Sequence, residues 1–157
     1  MRRKVLFISS TGGHLEELLA LKPLFKKYDY EIVTEKTSST ISLREKYGKK
    51  VHYLIYGTKH YIFSYILKTP LNIFKSLYFY IKIRPKVIIT TGAHTAVWMC
   101  FIGKLFRSKI IYIETLANIS TKTLSGKLIY PIADKFIVQH EEMLKLYPKA
   151  IYGGFIF

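Results

Sequence analysis

Short apolar runs alternate with amphipathic stretches along most of the chain. Each run is rich in Val, Ile, Leu and Tyr and is typical of a buried strand. The predicted strands are Lys4 to Ser9, Tyr30 to Thr34, Val51 to Tyr56, Lys86 to Thr90, Lys109 to Glu114, Lys135 to Gln139 and Ala150 to Tyr152. Helical patterns lie between them, at residues 14–27, 39–47, 62–83, 94–106, 121–131 and 140–147. This alternation predicts an α/β fold with a doubly wound, mainly parallel, Rossmann-like sheet.

Two prolines refine the helix boundaries. Pro23 is expected to kink the first helix or to start a second helical piece. Thr69 followed by Pro70 resembles an N-cap and a first helical position. We therefore expect a helix from about residue 70 to residue 83.

Length and charge narrow the class of protein. The chain has 157 residues and no linker-like or repetitive segment, which predicts a single domain over 1–157. Half of the residues are hydrophobic, yet 25 Lys and Arg against 10 Asp and Glu give a net charge of +15. Such a balance indicates an anionic partner: nucleic acid, a membrane surface or a phosphorylated substrate. The single cysteine, Cys100, lies in an apolar run and is expected to be a buried thiol.

Neither a signal peptide nor a membrane span is expected. Met1 to Lys4 leads into only a short apolar run before a glycine turn. Val87 to Gly103 has no formally charged residue, but the turn-like sequence Thr90 to Thr95 divides it into a strand and a helix.

The sequence Ser9 to His14 joins the first strand to the first helix through two glycines. A strand, a glycine turn and a helix N-terminus form a geometry that binds phosphates, because the first helical N–H groups are unpaired. Thr11, Gly12 and Gly13 would form this turn, and His14 could bind an anion or accept a proton. A tight turn without a ligand remains the alternative.

Two further loops follow predicted strands and are rich in polar residues. One contains Gly92, His94 and Thr95, and the other begins at Glu114. Ligands of doubly wound sheets bind beyond the carboxyl ends of the strands, so His14, His94 and Glu114 could converge on one crevice. Alternatively, His94 only caps its helix and Glu114 only braces a loop.

The segment from Tyr61 to Ile83 is unusually apolar, and Lys68, Lys75 and Lys82 recur in it every seven residues. Helical spacing places these lysines at the border of one apolar face, which contains Leu71, Phe74, Leu77, Tyr78 and Ile81. This arrangement suits a helix that lies in a lipid headgroup layer with its lysines extended towards the phosphates. A helix covered by protein, with solvated lysines, is the alternative.

Several motifs together resemble one family. They are the decapeptide Ser9 to Leu18, Thr-Thr-Gly-Ala at 90–93, Tyr-Ile-Glu-Thr at 112–115, Tyr-Pro-Ile-Ala-Asp at 130–134, Val-Gln-His-Glu-Glu at 138–142 and the sequence of 146–154. The family is the membrane-anchoring subunit of the split UDP-sugar transferase of N-glycan assembly, with its bacterial capsule and exopolysaccharide counterparts.

The resemblance implies the amino-terminal, acceptor-side half of a GT-B glycosyltransferase, similar to that half of the peptidoglycan lipid II-forming enzyme. The donor-binding catalytic half would be a separate subunit, and the chain would be peripheral at the cytoplasmic face of the plasma membrane. Thr11 to His14 and Gly92 to Thr95 would hold the diphosphate of a polyprenyl-linked sugar acceptor. His14 would be the general base, with Glu114 second. Asn118 stands where bacterial relatives tend to have arginine, and Trp98 where they commonly have proline.

The sequence ends in Phe155, Ile156 and Phe157 after two glycines. In a one-chain GT-B enzyme this is the region that crosses into the donor domain. We therefore expect these three apolar residues to dock into the catalytic subunit, whereas folding back onto the chain's own sheet is the alternative.

Two other functional classes remain open at this stage. A Rossmann enzyme with a nucleotide cofactor is favoured only by Glu35, which lies about 20 residues after the glycine turn, where a ribose ligand is expected. A nucleic-acid-binding module is suggested by charge alone, since no recognition motif accompanies it. The preferred interpretation expects no nucleic acid, no cofactor and no metal.

Overall fold

The computed structural model describes residues 3–57 and 62–157, which form seven strands and five α-helices. The strands are β1 (Lys4–Ser9), β2 (Asp29–Lys36), β3 (Val51–Ile55), β4 (Val87–Gly92), β5 (Lys109–Ile113), β6 (Lys135–Val138) and β7 (Ile151–Tyr152). The helices are α1 (Gly13–Ala20), α2 (Leu43–Tyr47), α3 (Ile62–Ile83), α4 (His94–Leu105) and α5 (Leu124–Ile129). Short 3-10 helices cover Lys22–Lys26, Gly48–Lys50 and Glu141–Lys145. Tyr61, the predicted start of the apolar segment, lies outside the described residues.

All seven strands join one parallel sheet in the order β3-β2-β1-β4-β5-β6-β7. β1 is an inner strand, since Val5 pairs with Tyr30 of β2 on one side and with Val87 of β4 on the other. The strand order reverses between β1 and β4, and such a reversal opens a crevice at the carboxyl ends of the two strands. The predicted doubly wound fold is confirmed.

The core occupies both faces of this sheet. Along β1, Val5 and Phe7 pack with α1, whereas Leu6 and Ile8 pack on the opposite face with α3 and α4. All four side chains are buried. Side chains that alternate between two covered faces explain why the strands read as continuous apolar runs.

The two prolines gave one confirmed and one wrong prediction. Pro23 lies in the first turn of a separate 3-10 helix that follows α1, as expected. Pro70 does not start a helix but lies inside α3, with its ring exposed. The helical spacing of apolar residues continues across the proline: Leu67 and Leu71 are one turn apart and lie on the same exposed face.

The helical patterns over 62–83 and 94–106 are confirmed by α3 and α4, whereas three other helical predictions were too long. The pattern over 140–147 forms a 3-10 helix, and those over 39–47 and 121–131 contain only the short helices α2 and α5. Among the described residues, no helix combines the length and the apolar character that crossing a bilayer requires.

Candidate functional site

A crevice of about 230 Å³ opens where the sheet order reverses. Its polar lining comes from His14, His94, Thr123 and Ser125, and its apolar lining comes from Val97, Trp98, Leu124 and Leu128. The loops after β1 and β4 supply the two histidines, as the sequence predicts, and α5 closes the third side. The crevice therefore has one polar half and one apolar half.

The first glycine turn is open towards solvent. Gly12 has φ = 86° at the N-cap of α1, and its carbonyl accepts hydrogen bonds from the N–H groups of Leu15 and Glu16. A Cβ atom added to Gly12 or Gly13 would meet no heavy atom within 4 Å. Neither glycine is required by packing within the chain, although Gly12 holds a backbone conformation that favours glycine. The open space above Gly13 leaves the first helical amides accessible to an anion.

The second glycine turn packs against the first and has no open space above its glycine. Gly92 has φ = 100°, and a Cβ atom there would lie 3.3 Å from the Tyr112 hydroxyl and 3.5 Å from Cε1 of His14. The Thr91 hydroxyl donates a hydrogen bond of 2.6 Å to the carbonyl of His14. The two turns are thus held against each other, and His14 is fixed over Gly92.

Glu35 braces these turns from inside the molecule. Its carboxylate accepts hydrogen bonds from the backbone N–H of Thr11 (3.2 Å) and the Thr95 hydroxyl (2.9 Å), and it lies 3.5 Å from Nε2 of His94. Burial alone would raise the pKa of Glu35, but the hydrogen bonds from His94, Thr95 and Thr11 outweigh burial and lower it. With 1% exposure, Glu35 has no free oxygen for a ribose, so its predicted role in a nucleotide-cofactor enzyme is wrong.

The Glu35 network also determines which predicted ligands reach the crevice. The Thr95 hydroxyl accepts a hydrogen bond from Ser10 and donates to Glu35, so it is used inside the protein. Thr11 borders a separate cavity, together with Lys36 and Thr37. Gly12 and Gly13 remain exposed, and His14 and His94 line the crevice.

Glu114 lies below the crevice and does not line it, which corrects the expected convergence of three side chains. Its carboxylate accepts hydrogen bonds from the Thr123 hydroxyl (3.0 Å), the Thr115 N–H (3.2 Å) and the Tyr147 hydroxyl (3.3 Å). Burial outweighs these bonds and raises its pKa. Burial and the neighbouring carboxylate also raise the pKa values of Tyr112 and Tyr147, so both phenols remain protonated donors. Glu114 contacts the crevice through Thr123.

Sequence reasoning missed the apolar half of the crevice. Trp98 lies one helical turn after His94 on α4, a spacing that places both on one face. Leu124 and Leu128 follow Thr123, whose hydroxyl caps α5 by accepting from the Gly126 N–H at 3.0 Å. The N-cap signal at Thr123 is visible in the sequence, but only the tertiary structure shows that α5 faces α1. Asn118 closes its own loop through hydrogen bonds with Thr121 and does not line the crevice.

The predicted lipid-facing surface is exposed on α3. The exposed stripe consists of Leu67, Leu71, Phe74, Tyr78 and Ile81, and Phe74 is 70% exposed. Leu77, which was expected on this face, is half-buried. Helical geometry places Lys68, Lys75 and Lys82 together along one border of the stripe. The opposite side of α3 packs on the sheet through Ser76, Tyr80 and Ile83.

The carboxyl-terminal residues divide into two groups. Ile156 and Phe157 are half-buried against the core on the α1 side, and the Ile156 N–H donates to Oε1 of Gln139 at 2.9 Å. Phe155 is 72% exposed and contacts the ring of His140 edge-on. Of the three residues predicted to dock into a partner, only Phe155 is largely free to do so.

The family model described as "Oligosaccharide biosynthesis protein Alg14 like" matches residues 5–156. The chain belongs to this family. It is 39% identical over 102 residues to the UDP-N-acetylglucosamine transferase subunit ALG14 of Candida albicans, a match that covers 59% of this chain and 47% of that relative. The subunit of the same name from Yarrowia lipolytica is 27% identical over 179 residues, covering 98% of this chain and 81% of the relative.

Solved structures agree with the fold of this Alg14 family member. MurG of Acinetobacter baumannii superposes with a TM-score of 0.71 at 12% identity, over 89% of this chain and 42% of MurG. The UDP-GlcNAc 2-epimerase of Methanocaldococcus jannaschii also gives 0.71, at 14% identity, over 93% of this chain and 42% of the enzyme. The chain thus spans about two fifths of each of these proteins, and the likeness shows the fold alone.

Proposed function

We propose that this chain is the non-donor-binding subunit of a two-component UDP-sugar glycosyltransferase. It would bind a polyprenyl-diphosphate-linked sugar acceptor at the membrane and recruit a catalytic subunit that binds the donor. The observation that carries this proposal is the small crevice between the two glycine turns, with a polar and an apolar half. We further propose UDP-N-acetylglucosamine as the donor, because the relatives are named for its transfer.

The size of the crevice supports a shared active site. Complete pockets for small ligands usually exceed roughly 300 Å³, whereas this crevice has about 230 Å³. It suits a headgroup but not a headgroup together with a nucleotide sugar. A second subunit above the crevice would supply the remaining walls and the donor.

The chemistry of the lining fits a diphosphate beside an isoprenoid. The amides of the first turn of α1 can donate hydrogen bonds to phosphate oxygens, and His94 lines the same crevice. Trp98, Leu124 and Leu128 offer apolar contact to the first isoprene units. No Lys or Arg is among the described lining residues, so the site would rely on directed N–H groups rather than on full positive charges.

His14 is the side chain best placed to act as a general base, because it lines the crevice and keeps 26% exposure. The acceptor hydroxyl would form a bond to the anomeric carbon of the donor sugar while the bond from that carbon to UDP breaks. The hydroxyl proton would pass to His14. A positioned base of this kind contributes about 100- to 10,000-fold to the rate. Glu114 would act indirectly, by fixing Thr123 and the start of α5.

The α3 stripe supports a peripheral position at the cytoplasmic face of the plasma membrane. Its apolar residues would enter the headgroup layer while the bordering lysines meet anionic phosphates. His94 and Trp98 lie beside Lys68 and Asn72 of α3, so the crevice opens near this surface. The product would enter lipid-linked polysaccharide assembly, of the capsule or exopolysaccharide type that the sequence motifs suggest.

Gly13→Val tests the proposal in the chain reconstituted with its donor-binding partner. The Cβ atom of the new side chain meets no heavy atom within 4 Å, and the side chain fills space above the α1 amides. We expect the transfer rate at low acceptor concentration to fall at least tenfold, with the thermal midpoint nearly unchanged. Ala20→Val is the matched control, since Ala20 is exposed at the other end of α1. Normal transfer by the folded Gly13→Val chain would refute the binding of the diphosphate at this turn.

A further inference from the structure

Glu17 lies one helical turn after His14 on α1 and approaches its ring from the side away from solvent. Oε2 of Glu17 is 4.0 Å from Nδ1 of His14, and the two side chains are 14% and 26% exposed. The other carboxylate oxygen, Oε1, accepts hydrogen bonds from the Thr115 hydroxyl (2.7 Å) and the Leu116 N–H (3.0 Å). Glu17 is thus fixed by the loop after β5 while one of its oxygens remains directed at the imidazole.

The two facing atoms are both buried, and neither has a hydrogen-bond partner among the described residues. Buried polar atoms are nearly always paired, so two unpaired atoms that face each other call for an explanation. A relative movement of about 1 Å would bring them to the usual hydrogen-bond distance of roughly 3 Å. Hydrogen bonds of catalytic groups are often long without substrate and shorten when it binds.

We propose that Glu17 is a positioning residue that keeps the proton of neutral His14 on Nδ1 and leaves Nε2 unprotonated towards the crevice. The pairing of Glu17 with His14 does not depend on the proposed function. Only the role of that pair in accepting the proton of the acceptor rests on it. A carboxylate accepts hydrogen bonds and cannot donate them, so it selects the ring tautomer that carries hydrogen on the facing nitrogen.

The consequence concerns the proton of the acceptor. When the acceptor oxygen bonds to the anomeric carbon of a nucleotide sugar and the nucleotide leaves, the hydroxyl proton moves to Nε2. The ring then carries a proton on each nitrogen and a positive charge, which the Glu17 carboxylate stabilises through Nδ1–H. Glu17 touches neither acceptor nor donor and acts through His14.

Glu17→Gln separates this role from loop support. The amide oxygen of Gln can keep the hydrogen bonds from Thr115 and Leu116, while its NH2 group takes the place of Oε2. An NH2 group donates to Nδ1 and therefore favours the opposite tautomer, with the proton on Nε2. In that state the lone pair is on Nδ1, so Nε2, the nitrogen that faces the crevice, cannot accept the proton of the acceptor.

The direct test is nitrogen NMR of the full chain labelled with ¹⁵N-histidine, at a pH high enough for the His14 ring to be neutral. His14 signals are assigned by their loss in His14→Ala. We expect mainly the Nδ1–H tautomer in the wild-type chain and mainly the Nε2–H tautomer in Glu17→Gln. Glu16→Gln changes the exposed neighbouring carboxylate, and Thr115→Val removes the hydroxyl that donates to Oε1 of Glu17 and accepts from the Ala117 N–H; both should keep the wild-type tautomer. An identical tautomer in the wild-type chain and Glu17→Gln overturns the proposal.

Kinetics of the reconstituted pair provide the second readout. Glu17→Gln should lower kcat roughly 100-fold while the KM for the acceptor changes less than twofold, and it should have no further effect in a His14→Ala background. A change in KM alone, or an undiminished effect without His14, overturns the positioning role. If the wild-type pair transfers no sugar, the proposed function fails, and the tautomer measurement still decides the arrangement of Glu17 and His14.

Discussion

Buried or half-buried carboxylates connect the loops of this protein. Glu35, near the end of β2, joins the turn after β1 to the start of α4, and Glu114 joins the loop after β5 to the start of α5. Asp134 accepts hydrogen bonds from the Ile110 N–H and from Lys104 and Lys109, which fixes α4 and β5 to the loop before β6. These three carboxylates fix loops to neighbouring helices and strands, and none of them lines the crevice.

Asp134 should make stability depend on acid pH. Burial alone would raise its pKa, but the Ile110 N–H and the two lysines outweigh burial and hold it at about 2. A carboxyl whose pKa is lowered by folding stabilises the protein above its unfolded pKa of about 3.8 and loses this contribution as pH falls towards 2. We expect Asp134→Asn to lower the free energy of unfolding by about 1 kcal/mol at pH 6, discounted for the exposed lysines, and by nearly nothing at pH 2.

Denaturant titrations at several pH values measure this difference. Asp29→Asn is the control, since Asp29 also faces two lysines but at 3.6 and 3.8 Å. A difference between the wild-type chain and Asp134→Asn that stays constant from pH 6 to pH 2 would contradict the assignment.

Gly126 allows α5 to approach Glu114. A Cβ atom there would lie 2.5 Å from the Tyr147 hydroxyl, 2.6 Å from Oε2 of Glu114 and 2.7 Å from the Thr123 hydroxyl. Gly126→Ala should therefore cost about 1–3 kcal/mol of unfolding free energy. Gly13→Ala, at a helical position with open space, should be neutral or slightly stabilising. Equal thermal midpoints for the two variants would show that the Glu114 cluster can move aside.

At the scale of elements, strands were predictable and helices less so. The apolar run of β1 is covered on both faces, so the ends of this strand coincide with the ends of the hydrophobic pattern. α5 begins at Leu124, three residues later than predicted, because Thr123 caps it and is held by Glu114. The two glycine turns were visible as local signals, whereas the partners of Glu17, Glu35 and Glu114 come from distant parts of the chain and have no local signature.

The α3 stripe predicts salt-sensitive binding to anionic vesicles. Replacing Lys68, Lys75 and Lys82 with Glu should abolish this binding, because each basic side chain at such a surface contributes about 1 kcal/mol. The matched control replaces Lys22, Lys27 and Lys49 with Glu, which changes the net charge equally at exposed sites away from α3. Vesicle sedimentation measures both variants. If the two triple variants bind alike, the attraction follows net charge and not the α3 stripe.

At the scale of the whole molecule, the small crevice and the exposed Phe155 both support the proposed second subunit. Phe155→Ala should weaken the complex with the donor-binding subunit at least tenfold, about 1.4 kcal/mol, and leave the thermal midpoint of the chain unchanged. Phe157→Ala should instead lower the midpoint, since Phe157 packs against the core on the α1 side. Titration calorimetry and thermal unfolding separate the two effects. Unchanged affinity in Phe155→Ala would place the docking surface elsewhere.

The pairing of β1 with β4 sets an order for the synthesis of the molecule. Val5 pairs with Val87, so one edge of β1 stays uncovered until the ribosome has made residues as far as Gly92. At about 10 residues per second this interval lasts on the order of 10 s. During it the nascent chain exposes an apolar strand edge, which is a hazard for aggregation. Since the crevice needs both strands and α5, the ability to hold a ligand arises only after residues as far as Leu128 have been made and folded.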